Sequence, residues 1–273
     1  MGMRKLVYAL GLAAAATCGC ASVNKPAYDT LIAHRGESKD APENTLPAYK
    51  MAVDRGFGFE CDIYLSSDKR LYTFHDTTLR RTTSGANTNA CTAVDWATVS
   101  KLNVGGWGKW QGSKFDPTRP ALLEEVLALA RPGRKIYVEV KGDDPSWVPY
   151  IKAVFAKEPK ATPETVLFIA FGRKVSAELK RQMPEFKTYW LTGKVPPAPE
   201  LIAELRALGV DGIDIRYKPA EVTAEYIAAV KSAGFEFHVW TIDDPQTAAE
   251  AFSRGAQTVT TNRAKYILEA LEK

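Results

Sequence analysis

Residues 58–75 read Gly-Phe-Glu-Cys-Asp-Ile-Tyr-Leu-Ser-Ser-Asp-Lys-Arg-Leu-Tyr-Thr-Phe-His. The stretch holds two strand-like runs, 58–63 and 71–74, separated only by residues 64–70. A parallel crossover needs about a dozen residues. The two runs are therefore expected to form an antiparallel hairpin turning near 66–69, with His75 returning opposite Asp62. Glu60 and Asp62 stand two apart on the first run, so their side chains leave the strand on the same face.

Outside this hairpin, β-rich runs alternate with helical ones. The further strands are expected at 31–34, 135–141, 166–170, 187–191, 212–215, 235–240 and 257–260. The helices are expected at 45–55, 122–130, 145–157, 176–183, 199–208, 223–233 and 245–254. Four of the helices run into Gly56, Gly209, Gly234 or Gly255, residues that reach the left-handed conformation at little cost. Thr45 and Thr223 are suited to accept a free N–H at a helix start. Such alternation implies a parallel sheet, either an open doubly wound one or a closed (β/α)8 barrel. No GxGxxG or GxxxxGK[ST] follows a strand, which removes support for a nucleotide-binding open sheet. With the hairpin's return strand set aside, eight strands remain. The expected fold is a distorted TIM-type barrel, with residues 77–120 as an insertion over one end.

The 273 residues are 45% hydrophobic and 25% charged, which excludes a disordered chain, a collagen and a multi-span membrane protein. The net charge of +4 comes without a long basic run, so nothing points to nucleic acid. Residues 1–22 carry Arg4 and Lys5, an apolar run and then small residues with two cysteines. Eleven apolar residues are too few for a spanning helix, which takes roughly 20, and the pattern reads as a secretory signal rather than a buried first helix. Gly19-Cys20-Ala21-Ser22 resembles a lipoprotein signal, although Thr17-Cys18 departs from it; ordinary signal cleavage is the alternative. The expectation is an exported protein, periplasmic or at the cell surface, anchored to the membrane through Cys20, with residues 23–273 forming the barrel. Cys61 and Cys91 would then be the cysteines of the mature body, oxidised or free.

Glu139 and Lys141 repeat the i, i+2 spacing of Glu60 and Asp62 on another strand. The outer face of a parallel barrel is covered by helices, so outward charges would be buried without partners. Turned inward, Glu60, Asp62 and Glu139 offer hard oxygen ligands for one divalent cation, Ca2+ or Mg2+. His34 ends the first strand and His75 the hairpin, which is where a barrel carries catalytic groups. Two imidazoles can divide proton removal and proton donation. Arg35 and Lys141 supply positive charge for phosphate oxygens, though Arg35 could instead pair with Asp76 or Glu43. His238, between aromatic residues, reads as packing. These features describe phosphate-ester chemistry without naming a substrate.

In order along the chain stand His34-Arg-Gly36, Pro42-Glu-Asn-Thr45, Glu60-Cys-Asp62, Phe74-His-Asp76 with Arg81-Thr-Thr83, and Glu139-Val-Lys141. Together they resemble the glycerophosphodiester phosphodiesterase family. Leu102-Asn-Val-Gly105, Pro120-Ala-Leu-Leu-Glu-Glu125 and Val239-Trp-Thr241 extend the resemblance. Asn103, Leu122 and Cys61 depart from its usual pattern. The resemblance implies metal-dependent hydrolysis of a glycerophosphodiester to glycerol 3-phosphate and an alcohol. It implies Glu60, Asp62 and Glu139 as metal ligands and His34 and His75 as the acid/base pair. Arg35 and Lys141 would hold phosphate, and Trp240 would line the pocket wall. The other readings are a phospholipase C- or D-like enzyme acting on intact lipid, which exposed Trp107 and Trp110 would favour, and a lipoprotein that binds a head group without hydrolysis. No protein partner is implied.

Overall fold

The computed structural model describes residues 27–272; the expected signal segment, Cys20 included, lies outside the described residues. The strands are β1 (Leu31–Ala33), β2 (Gly58–Leu65), β3 (Leu71–Thr73), β4 (Ile136–Val140), β5 (Val166–Ala170), β6 (Thr188–Thr192), β7 (Gly212–Arg216), β8 (Glu236–Trp240) and β9 (Thr258–Thr261). Parallel pairing runs from β1 through β9, β8, β7, β6, β5 and β4 to β2. β2 then pairs with β1, which closes the sheet into a barrel. Among the described residues only β3 stands outside the cycle, antiparallel to β2. The expected (β/α)8 barrel with a hairpin on its second strand is what the chain forms.

The hairpin register differs by one residue from the expected one. Ile63 pairs with Thr73, and Phe74 N–H donates to the Asp62 carbonyl at 3.1 Å. Phe74, not His75, therefore lies opposite Asp62. The turn centres on Asp68, because Ser66 N–H donates to Arg70 O and Lys69 takes a φ of 65°.

Local signals set most helix ends. The Thr45 hydroxyl accepts from Ala48 N–H and starts the helix Leu46–Asp54, whose buried face carries Ala48, Tyr49, Ala52 and Val53. Gly209, with a φ of 69°, ends the helix Ala198–Leu208 in the left-handed conformation. The helix Arg173–Gln182 begins three residues before its expected start. Its first free N–H groups, on Lys174 and Val175, donate to the Asp143 carboxylate from another loop. That cap is distant in sequence, so no local pattern announces it.

Alternation along the strands sorts side chains into two layers. One face packs under the helices; the other fills the barrel with Ile32, Tyr137, Leu167, Ile169, Tyr189 and Leu191. His238 belongs to this inner filling, bonded to the Thr258 hydroxyl at 2.7 Å and stacked on Tyr189 at 4.2 Å. Cys61 and Cys91 are buried free thiols. Residues 77–120 carry a short helix, Trp96–Val99, and two single turns, Cys91–Ala93 and Gly108–Trp110. This segment reaches the barrel rim where Lys109 Nζ donates to Lys39 O at 2.7 Å. No helix among the described residues is long and apolar enough to cross a membrane.

Candidate active site

A cavity of about 220 Å3 opens at the C-terminal ends of the strands. His34 follows β1, Lys141 follows β4, Phe171 follows β5 and Thr241 follows β8, so these residues ring its mouth. Glu60, His75, Glu139 and Trp240 also line it. This is the end at which barrel enzymes carry their chemistry.

The three acids meet as their strands predict. Asp62 of β2 and Glu139 of β4 are directly paired in the sheet. With Glu60 they bring one carboxylate oxygen each to within 4.8 Å of one another. All three are buried. Lys141 Nζ bridges two of them, donating to Glu139 at 2.7 Å and Asp62 at 3.2 Å. Burial and then its acidic neighbours push Glu60 well above the carboxylate range. Burial, with Asp62 beside it, pushes Glu139 up to about 8. Burial opposes the charge on Asp62 too, but Lys141 and Arg35 hold it below the usual range. Glu60 Oε1 is buried with no hydrogen-bond partner among the described residues. A cluster with more buried negative charge than its neighbours neutralise, and an orphaned oxygen within it, fits a bound cation.

The backbone beside the cluster is shaped to serve it. Arg35 and Asn44 both take left-handed φ values, 57° and 55°. In that conformation Arg35 N–H donates to Glu60 Oε2 at 2.8 Å. Asn44 grips Asp62 twice, donating to its carboxylate at 2.7 Å and accepting from its N–H at 3.1 Å. The Tyr49 hydroxyl holds the Asn44 oxygen. The Arg35 guanidinium pairs with Glu43 at 2.8 Å and reaches Asp62 at 3.5 Å. The Glu43 pairing foreseen as its alternative thus coexists with a place on the cavity wall.

Each histidine is oriented by a partner on Nδ1. Asn262 donates its amide to Asp243, which turns its oxygen toward His34 Nδ1 at 2.8 Å. His34 Nδ1 therefore carries the proton, and Nε2 points toward Glu60 at 3.9 Å. Burial, then the Arg35 charge, pulls His34 down to about 4. His75 Nδ1 meets Asp76 at 2.9 Å, and Arg81 holds both oxygens of that carboxylate. Arg81 in turn lies 4.9 Å over the Trp107 ring, which ties the insertion to the site. Trp240 forms a wall, edge-on to Phe171 at 5.7 Å.

All eight residues expected from the sequence thus line or border one cavity. Asn44, Asp243 and Asn262 have no role in the sequence-based expectation, and Glu43 and Asp76 stand there only as alternative partners of Arg35. Asn44, Glu43 and Asp76 lie within quoted motifs, where a polar residue beside a candidate ligand was the available signal. Asp243 and Asn262 carried no local signal.

A closed βα barrel with three buried acids and two oriented imidazoles at its C-terminal mouth has the form of a barrel hydrolase's active site. Residues 34–265 match the model of the glycerophosphoryl diester phosphodiesterase family. The chain belongs to this family, and so to the phosphoric diester hydrolases. It is 27% identical over 251 residues to a glycerophosphodiester phosphodiesterase of Caldanaerobacter subterraneus subsp. tengcongensis, covering 89% of this chain and 98% of that protein. It is 28% identical over 266 residues to human glycerophosphodiester phosphodiesterase domain-containing protein 5, covering 87% of this chain but 41% of that longer protein. Among solved structures, an Oleispira antarctica phosphodiesterase in complex with the product sn-glycerol 3-phosphate superposes with a TM-score of 0.79 at 25% identity. That match covers 90% of this chain and 98% of the other.

Proposed function

We propose that the protein hydrolyses glycerophosphodiesters to sn-glycerol 3-phosphate and an alcohol, using one divalent cation, Ca2+ or Mg2+. Glu60, Asp62 and Glu139 would hold the ion. Bound there, it would supply a Lewis acid for a phosphoryl oxygen. The chain's own groups do the rest. Arg35 and Lys141 draw the phosphate to the acidic cluster and offset its charge. The attacking hydroxyl, of water or of the substrate's own glycerol, loses its proton to one histidine Nε2. The phosphorus–oxygen bond to the alcohol breaks, and the other histidine protonates the departing oxygen; where the glycerol hydroxyl attacks, water then opens the cyclic phosphate to give glycerol 3-phosphate. The observation that carries this reading is the pair of imidazoles, each with Nδ1 held by a partner, on the same cavity as three converging acids.

Intact lipid is the weaker substrate. The apolar rim it needs is missing at the two tryptophans, since Trp110 is buried and Trp107 is covered by Arg81. A binding-only role leaves the two oriented histidines without a task. We further propose that the chain is exported and anchored through Cys20, on the strength of the 1–22 sequence alone.

Release of glycerol 3-phosphate from deacylated diesters, read by a coupled dehydrogenase, tests the activity. Turnover is expected with Ca2+ or Mg2+ and its loss after EDTA. Turnover that survives exhaustive chelation contradicts the metal assignment, and cleavage of the head group from intact phospholipid with no turnover of deacylated diesters contradicts the substrate.

A further inference from the structure

The catalytic account leaves one buried acid of the cavity without work. Asp214 lies at the centre of β7, between Ile213 and Ile215, which pack outward under the helices. Alternation turns Asp214 inward, where it lines the same cavity as the catalytic groups. It is 1% exposed, and its Oδ1 has no hydrogen-bond partner among the described residues. Burial, and then the charge of Glu139, pushes its carboxyl up to about 8. No lysine or arginine among the described residues is paired with it, and it stands apart from the three acids that converge on the cation site.

A buried carboxyl without a partner is costly, and the native barrel carries it at a position where leucine or isoleucine would pack. Its surroundings say what would satisfy it. Ile169, Phe171, Leu191 and Trp240 make this side of the cavity apolar. Arg35, Lys141 and the three acids make the opposite side ionic. A phosphodiester anion is drawn to the cationic side, and Asp214, neutral or ionised, offers it no counter-charge. The group that reaches Asp214 must therefore be uncharged, largely hydrocarbon in outline, and able to hydrogen-bond. A glycerol hydroxyl meets each condition. Its C–H faces suit the apolar wall, and its O–H can donate to the carboxylate or accept from the carboxylic acid. Asp214 is closed off from solvent, whereas His75 at the mouth is a third exposed. The part common to every substrate, the glycerol, belongs at the closed end, and the variable alcohol leaves by the mouth.

We infer that Asp214 is a specificity residue that hydrogen-bonds a hydroxyl of the substrate's glycerol and so selects polyol phosphates over alkyl phosphates. The inference deepens the proposed hydrolysis and rests on its placement of the phosphate. Discrimination of this kind can be large. A site that pairs with a substrate hydroxyl is left with a buried unpaired group when the hydroxyl is missing. A hydrophobic pocket gains little by comparison.

Calorimetric titration of sn-glycerol 3-phosphate and of n-propyl phosphate, in Ca2+, tests this on wild type, Asp214→Asn and Asp214→Leu. The two ligands share phosphate and carbon chain and differ in the hydroxyls. Wild type is expected to prefer the glycerol ligand by about 30-fold or more. Asp214→Leu should reduce that preference to about threefold or less, chiefly by weakening glycerol 3-phosphate. Asp214→Asn, which keeps a hydrogen-bonding group of the same shape, should retain most of the preference. A wild-type preference near unity, or one unchanged in Asp214→Leu, overturns the assignment. Glycerol 3-phosphate release from a diester is read in parallel. Selective binding without release would refute the hydrolysis and leave the role of Asp214 standing.

Discussion

His34 and His75 are held in the same way by unlike partners. Asn262 and Asp76 each accept a hydrogen bond from Nδ1–H and leave Nε2 free for the chemistry. A carboxylate stabilises a protonated ring, whereas an amide oxygen serves mainly to orient it. Alanine at either histidine is expected to cut kcat by about 10^2-fold or more, read in the glycerol 3-phosphate assay. Asn262→Ala should give a smaller loss in kcat with KM unchanged, because His34 remains present but loses its orientation. Full activity in either histidine variant would remove that residue from the chemistry. The histidines and acids were legible because each ends or alternates along a strand. Asn262 was not, since 228 residues separate it from His34 and only the pairing of β9 with β1 makes them neighbours. Asp214 is illegible for another reason: one acid in an otherwise apolar strand gives no spacing to read.

Among the elements, β2 has the most to do. It supplies Glu60 and Asp62, carries the hairpin, and pairs with both β1 and β4. Its first residue explains how three strands converge there. A Cβ at Gly58 would stand 2.5 Å from Lys135 O and 3.1 Å from Lys135 N, backbone atoms that cannot step aside. Gly58→Ala should therefore destabilise the barrel by about 1–3 kcal/mol, measured by urea unfolding. Gly193→Ala, where a Cβ would meet nothing within 4 Å, serves as the control and should change little. Equal stability of the two variants would contradict the close approach. Element order was legible because turn length, helix caps and two-residue alternation are local signals. The hairpin register and the start of Arg173–Gln182 were not, because a turn centred on Asp68 and a cap borrowed from Asp143 depend on tertiary contacts.

At the scale of the whole molecule, closure of the barrel turns a chain of separate motifs into one site. β1 and β9 meet, β2 and β4 meet, and the insertion docks through Arg81 on Glu43 and Asp76 and through Lys109 on Lys39. Closure also concentrates charge. Three buried acids face Lys141 and Arg35, and the orphaned Glu60 oxygen marks the position still to be satisfied. A dication completing that cluster is central to the proposed chemistry. Titration of Ca2+ and Mg2+ into chelator-treated protein, followed by calorimetry, tests this most directly. One ion should bind per chain, and both Glu60→Gln and Asp62→Asn should abolish binding while circular dichroism shows the barrel intact. Absence of binding in the wild type, or undiminished binding in both variants, would contradict it.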